Sequence, residues 1–179
     1  MCGIVGGISE RNILPILVEG LRRLEYRGYD SAGVAFKKNG SISVTKNLGR
    51  VDELTKKLNL KTIQSNLGIA HTRWATHGIP SEKNAQPHHS KNIFVVHNGI
   101  IENHDDLRTY LKAEGIRFST QTDTEVIGHL IRTFTEKGQS FEKAVFNTIK
   151  KLKGAYALGI IDKNNPEQII GVRNQSPLV

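Results

Sequence analysis

The sequence has little of several residue types at once. Among its 179 residues are one cysteine, one tryptophan, one methionine and five prolines, and aromatic residues make up only 6%. A single cysteine excludes an internal disulfide framework and fits a reducing compartment. No apolar run approaches the roughly 18 residues needed to cross a bilayer, so no membrane partner is expected. The N-terminus, Met1-Cys2-Gly3-Ile4-Val5, lacks the basic stretch and long apolar core of a signal peptide. The expectation is a soluble, cytoplasmic protein. Repeats, low-complexity tracts and Pro/Ser-rich linkers are absent as well, and the length suits one domain over residues 1–179.

What the chain does have in excess is positive charge, a formal +8 with a pI near 9.7. Such a balance can mark a nucleic-acid binder. Here the basic residues come as scattered pairs, Arg22-Arg23, Lys37-Lys38, Lys56-Lys57 and Lys150-Lys151. Several fall in the last turn of an expected helix, where a cation suits the helix dipole. With so few aromatic stacking platforms, nucleic acid is not expected as a partner.

Apolar periodicity sets out the elements. Gly3 to Ser9 reads as a buried strand, and residues 13, 14, 17, 18, 21 and 24 form a helical stripe. Ser31 to Phe36 and Ile42 to Leu48 look like a hairpin through Asn39-Gly40. Val51 to Leu58 reads as a short helix, and Leu67 to His71 and Ile93 to His97 as strands. Leu107 to Ala113 is helical and stops at Gly115. Val126 to Phe134 is helical behind an N-cap at Thr122 or Asp123, and Phe141 to Leu152 is a third stripe. Ala155 to Asp162 and Gln168 to Val172 close the chain as strands. Strands in runs and helices in pairs suggest a mixed α/β protein built on antiparallel sheets. From Thr72 to Ser90 there is no periodicity, yet this stretch holds Arg73, Trp74, His77, His88 and His89; a loop of that length in a compact domain is usually functional or disordered.

Five residues could carry chemistry. Cys2 could simply be a small buried residue of the first strand, the common fate of a free cysteine. If Met1 is removed, however, its own α-amino group becomes a base beside the thiol, as in the pairing of a terminal amine with threonine. Asn98-Gly99 reads as a turn, or as an oxyanion hole made of the Asn98 side-chain amide and the Gly99 backbone N–H. Arg73 and Asp123 taken separately are a solvated charge and a helix cap. Taken together they could hold the carboxylate and the ammonium of an α-amino acid. The seven histidines show no ligand spacing and no Cys/His cluster, so metal binding is not expected.

Five blocks match a known family in order: Cys2-Gly3-Ile4-Val5-Gly6, Tyr26-Arg27-Gly28-Tyr29-Asp30-Ser31-Ala32-Gly33, His71 to Gly78, His97 to Asn103, and Thr122-Asp123-Thr124-Glu125. They resemble the signature blocks of class II glutamine amidotransferases, over essentially the whole chain. The Arg27-Gly28 block, the Trp74 loop and Ile100-Ile101 resemble the glucosamine-6-phosphate synthase (glutamine:fructose-6-phosphate amidotransferase) branch of that family rather than the purine-pathway branch. The resemblance implies an N-terminal-nucleophile hydrolase, a four-layer α/β/β/α sandwich with antiparallel sheets. It implies Cys2 as nucleophile, Asn98 and Gly99 as oxyanion hole, and Arg73, Thr76, His77 and Asp123 as residues holding L-glutamine. Trp74 would lie in the covering loop and Arg27 would support Cys2. No cofactor is needed for this step. In the intact enzyme, an expected homo-oligomer, the ammonia would pass to fructose 6-phosphate bound by sugar-phosphate isomerase domains.

Two departures stand out. The family usually reads His-Pro-His where this chain has Gln86-Pro87-His88, so no histidine role transfers to position 86. Related glutaminase domains also continue through further strands past Ser176-Pro177-Leu178-Val179, so the sandwich is expected to be C-terminally incomplete, with the isomerase domains absent. The rival from another class is a non-catalytic binding module on the same fold, contacting RNA or an acidic partner. A nucleophile beside paired donors separates the two, because only an enzyme needs it.

Overall fold

The computed structural model describes residues 2–178. A strand buried at every position must be covered on both faces, and β4 (Leu67–Arg73) is such a strand. It pairs antiparallel with β1 (Gly3–Ile8) on one side and β2 (Ser31–Lys38) on the other. β3 (Ser41–Leu48) lies outside β2, joined through Asn39 and Gly40 at φ 50° and 73°, the left-handed pair that a primed hairpin turn requires. The second sheet runs β5 (His88–Ser90), β6 (Ile93–Gly99), β7 (Tyr156–Asp162), β8 (Ile170–Asn174), again antiparallel throughout.

Three apolar layers hold these sheets. α1 (Leu14–Leu24) and α2 (Val51–Lys57) cover the outer face of the first sheet, where Leu14, Leu17, Val18 and Leu21 meet Val34, Phe36 and Ala70. α3 (His104–Ala113), α4 (Glu125–Glu136) and α5 (Phe141–Ile149) cover the second, packing Ile127, Leu130, Ile131 and Val145 against Val95, Leu158 and Ile160. Between the sheets lie Ala35, Leu67, Ile69, Phe94, Val96 and Ile161. Period two puts 67, 69, 71 and 73 of β4 on one face, so the face that is apolar at Leu67 and Ile69 becomes polar at His71 and Arg73. The result is the α/β/β/α sandwich expected from the sequence.

The structure departs from the sequence expectations in three places. β4 continues through Thr72 and Arg73, and a short strand, β5, occurs at His88–Ser90 inside the stretch read as loop. α3 begins at His104, earlier than its apolar stripe, because its first turn is the polar His104-Asp105-Asp106. α4 is not capped by Thr122 or Asp123: Thr124 is its N-cap residue and makes no side-chain cap bond. Thr122 is engaged with His88, and the Asp123 carboxylate accepts the Ile101 N–H at 2.9 Å.

Candidate active site

Cys2 is buried just before β1, next to the polar end of β4 and the end of β6. Its Sγ accepts the Trp74 N–H at 3.4 Å and lies 3.6 Å from the Trp74 carbonyl oxygen. Burial pushes the thiol pKa up, against the Trp74 hydrogen bond and the nearby positive charge of Arg73, which favour the thiolate. The Cys2 backbone N donates to Asn98 Oδ1 at 3.2 Å. An N–H can only donate, so this bond fixes the Asn98 amide and leaves its Nδ2 as the free donor end.

Gly99 follows at φ 135°, and a Cβ there would overlap the Ala155 carbonyl oxygen, so only glycine fits. The β6–β7 register makes His97 and Gly99 alternate with Asn98. The His97 N–H and C=O both bond groups other than β7, so the Gly99 N–H, two residues on, turns to the same open side. Asn98 Nδ2 and the Gly99 N–H are thus two donors at the end of one strand beside the thiol.

Arg73 is almost fully buried. Its guanidinium donates to the carbonyls of His77 at 2.5 Å, Gly78 at 3.0 Å and Ile79 at 3.4 Å, and lies 3.8 Å from Asp30 Oδ1. It therefore organises the 77–79 loop in this conformation. Asp123 lies 4.0 Å from His77 Nδ1 and 3.9 Å from His97 Nδ1. Cys2, Arg73, Trp74, Thr76, His77, Gly99 and Asp123 line one small cavity. The indole of Trp74 points outward, half-exposed and edge-on to Tyr29 at 5.8 Å; the main chain of Trp74, not its ring, touches Cys2. Arg27 lines a separate cavity of about 260 Å³ on the other side of Cys2, together with Asn98 and Leu24.

All the residues singled out in the sequence thus lie around Cys2, although they come from both sheets and two loops. Others went unnoticed. Asp30 accepts the Ala75 N–H and the Ser31 hydroxyl and anchors the start of the loop. Gln86, seen in the sequence only as a departure, bonds the backbone of His97 and the hydroxyl of Thr124. Gly33 admits this segment, since a Cβ there would overlap the Gln86 carbonyl oxygen. The one visible signal for Asp30 and Gly33 was their place in the second sequence block.

The family model described as glutamine amidotransferase domain matches residues 71–178, more than half of the chain. The chain belongs to the glutamine amidotransferase domain family. This domain is 54% identical to the glutamine–fructose-6-phosphate aminotransferase [isomerizing] of Shewanella oneidensis over 180 aligned residues, which is 100% of this chain and 30% of that protein. It is also 54% identical to the Acinetobacter baylyi protein of the same name, again over 100% of this chain and 29% of the relative. The chain spans about 30% of the length of the curated relatives it matches. Among solved structures, the glutamine phosphoribosylpyrophosphate amidotransferase from B. subtilis superposes with a TM-score of 0.79 at 30% identity, covering 90% of this chain and 35% of that one. A class II glutamine aminotransferase domain protein from Silicibacter pomeroyi shares the fold at TM-score 0.62 and 14% identity, covering 100% of this chain and 79% of that one. The domain therefore has the N-terminal-nucleophile hydrolase sandwich of the class II amidotransferases.

Proposed function

We propose that this domain hydrolyses L-glutamine to glutamate and ammonia with Cys2 as nucleophile. The observation that carries the reading is a buried thiol beside two donors, Asn98 Nδ2 and the Gly99 N–H, with the amide of Asn98 oriented by Cys2 itself. Once Met1 is removed, the Cys2 nitrogen is a free amine, and the same Asn98 Oδ1 contact orients it as a base. The thiolate attacks the side-chain carbonyl carbon of glutamine, and the two donors take up the charge that develops on oxygen. Collapse of the tetrahedral adduct breaks the C–N bond. The protonated amine gives its proton to the leaving nitrogen, which departs as ammonia. Water then attacks the γ-glutamyl thioester, releasing glutamate and restoring the thiol.

Recognition of glutamine falls to Arg73 for the α-carboxylate and Asp123 for the α-ammonium, with Thr76 and His77 between them and Trp74 in the covering loop. The cavity they line is about 10 Å³, too small for glutamine, so entry requires the 74–79 loop to shift. Arg73 then exchanges loop carbonyls for the carboxylate. Arg27 supports Cys2 from the opposite cavity. The relatives' name, glutamine–fructose-6-phosphate aminotransferase [isomerizing], supports a larger setting in which the ammonia is delivered to fructose 6-phosphate. In that setting sugar-phosphate isomerase domains would make glucosamine 6-phosphate. In that reading residues 1–179 are the glutaminase part of a cytoplasmic homo-oligomer.

The test is covalent. The diazo-ketone analogue of glutamine should add its mass at Cys2, and glutamate release should track the fraction of molecules that mass analysis shows to lack Met1. Cys2→Ser should abolish both. Full turnover in a preparation that retains Met1 would refute the mechanism.

A further inference from the structure

His97 sits where its protonation matters. Its Nδ1 is 3.9 Å from Asp123 Oδ1, so a proton there would pair with the carboxylate assigned to the ammonium of glutamine. The hydrogen bonds around it determine where its proton goes. The backbone N–H of His97 can only donate, so the atom of Gln86 that it meets at 2.6 Å is the amide oxygen. The other end of that amide is then a donor, and it meets Thr124 Oγ1 at 3.1 Å. A hydroxyl that accepts from Gln86 has its own hydrogen to give, and its other neighbour, at 3.0 Å, is His97 Nδ1. Nδ1 is therefore an acceptor, and the proton of the neutral ring is on Nε2.

His97 Nε2 is buried without a hydrogen-bond partner among the described residues in either tautomer, so the Thr124 hydroxyl decides between them. His71 on β4 donates from Nε2 to the His97 carbonyl at 2.9 Å, and burial depresses its own pKa to about 3, so it stays neutral. Burial likewise depresses His97, against the attraction of Asp123, while His77 pushes the same way as burial. Among the described residues, Asp123 is thus the one group on the packed elements that draws a proton to His97, and the Thr124 hydroxyl occupies the atom that would take it.

We propose that Gln86 is a positioning residue which, through Thr124, holds His97 neutral and so reserves the Asp123 carboxylate for the α-ammonium of glutamine. The inference rests on the proposed reading of Asp123. It adds that Gln86, at the wall of the same cavity, sets the affinity through the protonation of His97 and not through a charge of its own.

Gln86→Glu reverses the chain. A carboxylate cannot donate to Thr124, so the hydroxyl turns to the introduced carboxylate, Nδ1 takes a proton and pairs with Asp123. In the intact protein, KM for glutamine should rise about tenfold near pH 6 and recover toward pH 8, the scale of one pKa unit of competing interaction, while kcat stays within about twofold. The unsubstituted protein should show a flat KM over the same range. Thr124→Val should raise KM in the same way and Thr124→Ser should restore it, which decides the question even where Gln86→Glu does not fold. Asp123→Asn is measured alongside: if it leaves KM unmoved, the reading of Asp123 fails. If it raises KM while Gln86→Glu and Thr124→Val leave KM flat with pH, or lower only kcat and the melting temperature, Gln86 is structural and the inference is overturned.

Discussion

The layer between the two sheets has two unlike ends made from the same strands. At one end, Leu67 and Ile69 of β4 meet Phe94 and Val96 of β6 and Ile161 of β7 in a dry contact. At the other, β4 presents His71 and Arg73, and β6 ends in His97, Asn98 and Gly99. The apolar end needs no partner geometry, only area and fit. The polar end is held by directed bonds: His71 to the His97 carbonyl, Gln86 to its N–H, Asn98 to the Cys2 nitrogen and Asp123 to the Ile101 N–H. Each buried polar group there is costly unless paired, which makes that end precise but fragile. One end thus fixes the distance between the sheets, and the other fixes which atoms face each other across it.

The comparison breaks most visibly at Asn98. Asn98→Ala removes one of the two donors, which costs about 100- to 1000-fold in turnover at comparable sites, and the loss should appear in kcat rather than KM. The protein should also lose about 1–3 kcal/mol of stability, because the substitution removes the Oδ1 that accepts the Cys2 N–H as well as the donor end. A raised KM with kcat intact would make Asn98 a binding or turn residue.

Ile69→Ala tests the opposite end. Removing a fully buried side chain from the dry contact should cost about 2–5 kcal/mol of stability by denaturant titration. Specific activity per folded molecule should hold, since the directed bonds at the polar end are untouched. If activity falls with stability, the two ends are coupled more tightly than their separate chemistry implies.

Acid reaches the polar end gradually, through His71. His71 is neutral in the folded state down to about pH 3, whereas unfolded histidine takes up a proton near pH 6.5. Below that point the unfolded state binds more protons, so stability falls as pH drops from about 6.5 toward 3, by up to about 1.4 kcal/mol per pH unit for this one group. Above pH 6.5 the group contributes no pH dependence. His71→Gln keeps a donor for the His97 carbonyl and should flatten the acid slope by close to one proton. An unchanged slope would place the acid sensitivity elsewhere.

Local pattern alone was enough for most of the framework. The α1 stripe, the Asn39-Gly40 hairpin, the apolar runs of β4 and β6 and the consecutive helices α4 and α5 all follow from periods of 3.6 and 2 within single segments. The five sequence blocks likewise contain Cys2, Arg27, Arg73, Trp74, Thr76, His77, Asn98, Gly99 and Asp123, which line the two cavities beside Cys2. The strand at His88–Ser90 was not legible, because three residues carry no periodicity and its pairing with Ile93–Val95 is a property of the sheet. The cap of α4 was misjudged for a related reason: Asp123 has the chemistry of a cap, but the Ile101 N–H, 22 residues away in sequence, takes its carboxylate. Gln86 shows the limit most clearly. In the sequence it is only a departure from the usual His-Pro-His, with no role attached. Only when β6, the 84–87 segment and the start of α4 converge does its oxygen meet a backbone N–H, and that single contact orients the amide and fixes the proton on His97. Directed bonds between distant segments depend on where those segments end up, and no local pattern records that.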